Sequence, residues 1–104
     1  MEDSLYFDVT TPLGRCIRVT VAYWEVIVTI KHPIMQGKEG LVQQALQSPI
    51  EIRQSRSDPD VYLHYAAEPP YIICAVARYL NGDGFLITAY RTNKIKEGTL
   101  LWTP

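Results

Sequence analysis

From Ile50 to the end of the chain, apolar residues recur with a period of two, and the runs are separated by short segments rich in Pro, Gly and Asp. That pattern is the strongest constraint on the fold. Period two is the spacing of a strand that sends alternate side chains to opposite faces. Ile50 to Ser55, Val61 to Tyr65, Tyr71 to Arg78 and a run through Phe85 to about Arg91 read as four strands. The breaks are Arg56-Ser57-Asp58-Pro59-Asp60, Ala66 to Pro70, and Asn81-Gly82-Asp83-Gly84. Asn-Gly and Asp-Gly pairs suit a hairpin turn. Strands joined by such short turns pair antiparallel. Lys94 to Trp102 is left as a short edge strand.

The first half reads differently. Leu5 to Val9 and Cys16 to Val19 are β-prone and flank Thr10-Thr11-Pro12-Leu13-Gly14, which suggests an N-terminal hairpin. Trp24, Ile27, Val28 and Lys31 then fall at helical spacing from Ala22 onward, with Thr20 as N-cap and Pro33 as terminator. A second helix spans Lys38 to Gln47, with Leu41, Val42, Ala45 and Leu46 on one stripe. The expected fold is therefore a single α+β domain over residues 1–104: an N-terminal β-hairpin (1–19), two helices (20–48) and a four-stranded antiparallel sheet (49–102) with the helices packed on one face.

The chain's 104 residues are enough for one modest core. A formal net charge of -1 argues against a surface that holds long nucleic acid by charge alone, while allowing a small basic pocket. Cys16 and Cys74 lie far apart, with no Cys or His at metal-ligand spacing, so neither a metal nor a cofactor is expected. The N-terminus Met1-Glu2-Asp3 is acidic, with no apolar run after it, and no segment reaches the roughly 20 residues that cross a bilayer. A cytoplasmic protein with no membrane contact is the expectation.

Alternation assigns the faces. Ile50, Ile52, Val61, Leu63, Tyr65, Phe85, Ile87 and Ala89 are expected inward. Glu51, Arg53, Ser55, Tyr62, His64, Thr88, Tyr90 and Thr92 are expected on the open face. These types suit phosphodiester chemistry. Arg forks onto phosphate oxygens, His exchanges protons near neutral pH, and Tyr stacks on a base. His32, in Lys31-His32-Pro33 at the end of the first helix, is the remaining candidate for acid–base work.

The run Trp24…Ile27…Lys31-His32-Pro33, then Val42…Leu46…Pro49…Ile52…Ser55…Asp58, Ile87-Thr88-Ala89-Tyr90…Thr92 and Gly98…Trp102 resembles the small bacterial and phage-associated members of the barnase–EndoU–colicin–RelE superfamily. It covers about three quarters of the chain and excludes the N-terminal hairpin. The resemblance implies two helices followed by a four-stranded antiparallel sheet. It also implies a metal-independent endoribonuclease, often the toxin of a toxin–antitoxin pair, with RNA as substrate and a small antitoxin protein as partner. On that reading His32, Arg53, Thr88 and Tyr90 are catalytic, and Lys31, Ser55, Tyr62, His64, Thr92 and Lys94 bind substrate. RelE-like toxins are basic, and this chain is not. The rival expectation is a non-enzymatic interaction module, or a homodimer, that uses the Tyr/Thr-rich face. Seven Tyr in 104 residues favour it, since Tyr is enriched at interfaces.

Overall fold

The structure is a computed structural model that describes residues 4–95 and 97–104. The acidic start Met1-Glu2-Asp3, used above to judge targeting, and Lys96 of the last edge strand lie outside the described residues. Strands β1 (Leu5–Thr10) and β2 (Cys16–Thr20) form an antiparallel hairpin. Helix α1 (Val21–Val26) follows, capped by Thr20, whose hydroxyl accepts from the Tyr23 N–H at 3.1 Å. The helix widens into a π-turn over Ile27–Lys31, then a short 3-10 turn over Pro33–Met35 leads to α2 (Glu39–Gln47). Strands β3 (Glu51–Gln54), β4 (Val61–Glu68), β5 (Tyr71–Leu80), β6 (Asp83–Thr92) and β7 (Thr99–Trp102) complete the chain.

The expected four-stranded antiparallel sheet is corrected to a seven-stranded mixed sheet of order β1-β2-β6-β5-β4-β3-β7. The meander β3–β6 is its centre, and both flanks are extended. Strand β2 pairs in parallel with the start of β6, through Ile17↔Gly84 and Arg18↔Phe85. Strand β7 pairs antiparallel with β3. A bare sheet edge leaves a row of unpaired backbone groups, and each added strand covers one end of the meander. The close β2–β6 approach needs Gly84, where a Cβ would sit 2.7 Å from both the Arg78 carbonyl and Ile17 Cδ1.

The larger core joins Trp24, Ile27, Val28, Met35, Val42, Ala45 and Leu46 of the helical region to Ile73, Ala75, Ala77, Leu86 and Ala89 of the sheet. A second apolar cluster, Leu63, Tyr65, Cys74 and Val76, lies on the opposite face. It is packed against Ile87, Tyr90 and Ile95. Four strand spacings, about 19 Å, separate β6 from β7 along the sheet, and the link between them carries Ile95 onto this second face. That face is therefore partly roofed rather than open.

The register corrects the face assignments on two strands. On β4, His64 pairs with Ile52 and Ala75, and Ala75 with Ala89; all four are completely buried in one row on the helical side. Tyr62 also faces that core, while Leu63 and Tyr65 face the second cluster. On β6, a bulge sets Thr88 opposite Val76 and Leu86 opposite Ala77, so Ile87 is an extra residue. Below the bulge Leu86 faces the helices and Phe85 is exposed; above it Ala89 faces the helices, leaving Thr88 and Tyr90 on the second face.

Candidate functional site

The π-turn positions His32. β-Branched residues crowd this segment, from Val26 to Ile30. The Thr29 hydroxyl donates to the Glu25 carbonyl at 2.6 Å, competing with the regular helical ladder. The helix loosens by one residue, and the His32 N–H closes the wider turn on the Ile27 carbonyl at 2.7 Å. π-Turns of this kind often mark functional sites.

This turn lies along the outer edge of β6, opposite its pairing with β5. Pairing with β2 stops at Phe85, and beyond it the bulged Ile87 carbonyl takes its partners from the helical region. The Tyr23 hydroxyl donates to it at 2.6 Å and Lys31 Nζ at 3.1 Å. Lys31 Nζ also donates to the Tyr23 oxygen at 2.8 Å. One residue on, the half-buried His32 ring meets the Tyr90 ring, with centroids 5.8 Å apart. Tyr90 in turn packs against Tyr65 and Cys74 in the second cluster. A cleft of about 230 Å³ opens beside it, lined by Tyr65, Tyr90, Thr92, Asn93, Lys94 and Glu97.

The electrostatics fix proton states. Burial, reinforced by Cys74, holds the Tyr90 hydroxyl far above its ordinary pKa, and burial does the same for Tyr65. Burial pushes the Cys74 thiol up to about 12. All three groups stay protonated at neutral pH and act as hydrogen-bonding groups rather than bases. Among the described residues, the one imidazole beside this group is that of His32, against the Tyr90 ring.

The sequence-predicted residues divide into two groups across the sheet. His32, Lys31, Thr88, Tyr90, Thr92 and Lys94 gather at the β6 side. Thr88 is half-buried, its hydroxyl oxygen enclosed without a hydrogen-bond partner, and the Thr92 hydroxyl donates to the Lys94 carbonyl at 3.1 Å. Arg53 stands elsewhere. Thr88, Val76, Leu63 and Arg53 form one row, so Arg53 is three strand spacings, about 14 Å, from Thr88. Its guanidinium is paired with Glu51 and donates to the Gly98 carbonyl at 3.2 Å. Ser55 belongs to that far side, with its hydroxyl 3.1 Å from that of Ser57.

His64 leaves the surface altogether, and Tyr62, half-buried, turns to the helical face. His64 Nδ1 lies 3.1 Å from the Ala75 carbonyl and Nε2 lies 2.7 Å from the Tyr79 hydroxyl, whose other neighbour is Thr11 Oγ1 at 3.1 Å. Burial drives the His64 pKa down to about 4, so the ring is neutral. Tyr62 stacks on Tyr79, centroids 4.0 Å apart. Conversely, Tyr23, Tyr65, Cys74 and Glu97 reach the β6-side group although the sequence reading gave them no role there. Tyr65 carried a signal, an aromatic hydroxyl on a strand next to the central one; Tyr23 and Glu97 carried none.

Among the described residues, no group of three or more His, Cys, Asp or Glu is placed to hold a metal ion. No helix in them is long and apolar enough to cross a membrane. No family model, no curated protein and no solved structure matches this chain.

Proposed function

We propose that the chain is an endoribonuclease that works without a metal ion, with its reacting centre at the His32–Tyr90 edge of β6. One observation carries this reading. The segments Lys31-His32-Pro33 and Ile87-Thr88-Ala89-Tyr90 carry the resemblance described above, and the Lys31–Ile87 contact that joins them is between residues 56 apart in sequence. Distant residues of the right chemical types meet at one place.

In the proposed reaction the RNA 2′-oxygen attacks the adjacent phosphorus. A 2′-O–P bond forms, the P–O5′ bond breaks, and the products are a 2′,3′-cyclic phosphate and a 5′-hydroxyl. His32 is the proton-transfer group, a role worth about 10²–10⁴-fold in rate. The exposed Lys94 ammonium offsets charge on the phosphate oxygens. Thr92 and the Tyr90 ring flank the scissile nucleotide. Arg53, bound to Glu51 and Gly98 on the far side, has no part in this step.

The competing reading is a binding module that uses the same tyrosines without chemistry. The distance of Arg53 from Thr88 favours it, because it removes the strongest phosphate ligand from the centre. Incubation of the protein with mixed RNA in EDTA decides between the two. The nuclease reading expects fragments ending in 2′,3′-cyclic phosphate; intact RNA retained on the protein supports the module.

A further inference from the structure

We infer that Tyr23 is a positioning residue for His32, acting through Lys31 and the carbonyl of Ile87. The kinetic consequence rests on the nuclease reading above; the geometry stands by itself.

Ile87 is the extra residue of the β6 bulge, and its carbonyl is taken by two donors from the helical region. Proton count fixes the roles. Tyr23 has one O–H, and at 2.6 Å it goes to the Ile87 oxygen. The Tyr23 oxygen is then an acceptor, and Lys31 Nζ fills it at 2.8 Å. A second ammonium proton goes to the Ile87 carbonyl at 3.1 Å. The same cation lies 5.2 Å from the centre of the Tyr23 ring. The three groups form a closed triangle, and Tyr23 is itself fixed at the helix start by its N–H to Thr20 Oγ1.

Lys31 immediately precedes His32 in the chain. Its side chain is tied to β6, while the His32 backbone N–H is tied to Ile27. The imidazole therefore leaves the backbone from a point held on both sides, and it is this anchoring that sets the ring against Tyr90. Lys31 is thus occupied as part of the clamp, rather than free to bind phosphate as the sequence reading expected. Displacing a catalytic group by about 1 Å can cost about 10²-fold in rate, so the clamp has a kinetic signature distinct from general stability.

The test uses the full chain with Tyr23→Phe and Lys31→Met, and it has two readouts. Proton NMR reads the cross-peaks between the His32 and Tyr90 rings, and steady-state cleavage of RNA in EDTA separates kcat from KM. Tyr23→Phe is expected to unfold cooperatively, to lose the His32–Tyr90 cross-peaks, and to lower kcat by about 10- to 100-fold with KM unchanged. Retained cross-peaks with wild-type kcat would overturn the inference, as would a loss confined to KM. If Tyr23→Phe does not fold, Lys31→Met, which keeps the Tyr23–Ile87 bond, takes its place: weakened cross-peaks support the clamp and unchanged ones refute it. If the wild-type protein cleaves no RNA, the nuclease reading fails, and the cross-peaks alone still decide the clamp.

Discussion

Replacing Tyr79 with Phe should destabilise the protein through a histidine that the surface never sees. The Tyr79 hydroxyl sits between His64 Nε2 at 2.7 Å and Thr11 Oγ1 at 3.1 Å. The Ala75 carbonyl is the partner of His64 Nδ1, and the Tyr79 hydroxyl is the partner of Nε2. Phe keeps the ring and its stacking on Tyr62 but leaves a fully buried nitrogen unpaired. An orphaned buried polar group costs about 1–3 kcal/mol, a large share of the roughly 5–15 kcal/mol that holds a domain together. At about 4–8 °C per kcal/mol for a domain of this size, the melting temperature should fall by about 10 °C. The same network predicts the acid limb. The unfolded chain binds a proton at His64 near pH 6.5 and the folded chain only near 4. Between those values the unfolded state holds more protons, so acid favours unfolding; this contribution is complete above pH 6.5 and is lost on the way down to about 4. Two to three pKa units correspond to about 3 kcal/mol. Asp58 and Asp83, held below the usual carboxylate range by Arg78 and by the Gly84 N–H respectively, lose their contribution at lower pH and leave the window clear. Urea titrations from pH 7.5 to 4 measure both effects. A Tyr79→Phe protein as stable as wild type, or a wild-type stability flat between pH 6.5 and 4, would refute the reasoning.

Gly98 combines a φ of +88° with contacts that a Cβ would make at 2.9 Å to Arg53 Cβ and to the Gln54 carbonyl. Gly98→Ala should therefore cost at least about 2 kcal/mol from backbone strain and crowding, read as a lower urea midpoint. Cys74 is fully buried with its thiol pushed up to about 12, whereas Cys16 is half-buried. A disulfide reagent at pH 8 should label one thiol per chain quickly in the native protein and both in urea. Lys94→Ala should weaken RNA binding and reduce its dependence on salt by about one ion, measured by anisotropy over a salt series.

Local signals in the sequence are followed where burial is one-sided. Ile52 inward with Glu51 and Arg53 outward on β3 is the arrangement seen: Ile52 is completely buried and its two neighbours are half-buried. The stripe Val42, Ala45 and Leu46 of α2 is likewise the buried one. β4 defeats alternation because both its faces are covered, one by the helical region and the other by the β6–β7 link. A strand buried on both sides has no polar face to mark it, so His64 read as surface when it is core. β6 defeats it differently: the bulge at Ile87 shifts the phase within one strand, and nothing local announces the extra residue. The parallel β2–β6 pair and the β3–β7 pair are long-range contacts, invisible to a local period. At the candidate site, the place of His32 at the end of the first helical segment, before Pro33, was legible. Tyr23 was not, because its role arises only when the bulge turns a carbonyl toward it.

On the proposed nuclease reading, His32 moves the proton during RNA cleavage. The direct measurement is the initial rate of cleavage of a defined RNA in EDTA by wild type and by His32→Ala, with folding of both checked by circular dichroism. The expected result is a native-like His32→Ala protein whose rate is lower by about 10²–10⁴-fold. A folded His32→Ala protein that cuts RNA as fast as wild type would contradict it.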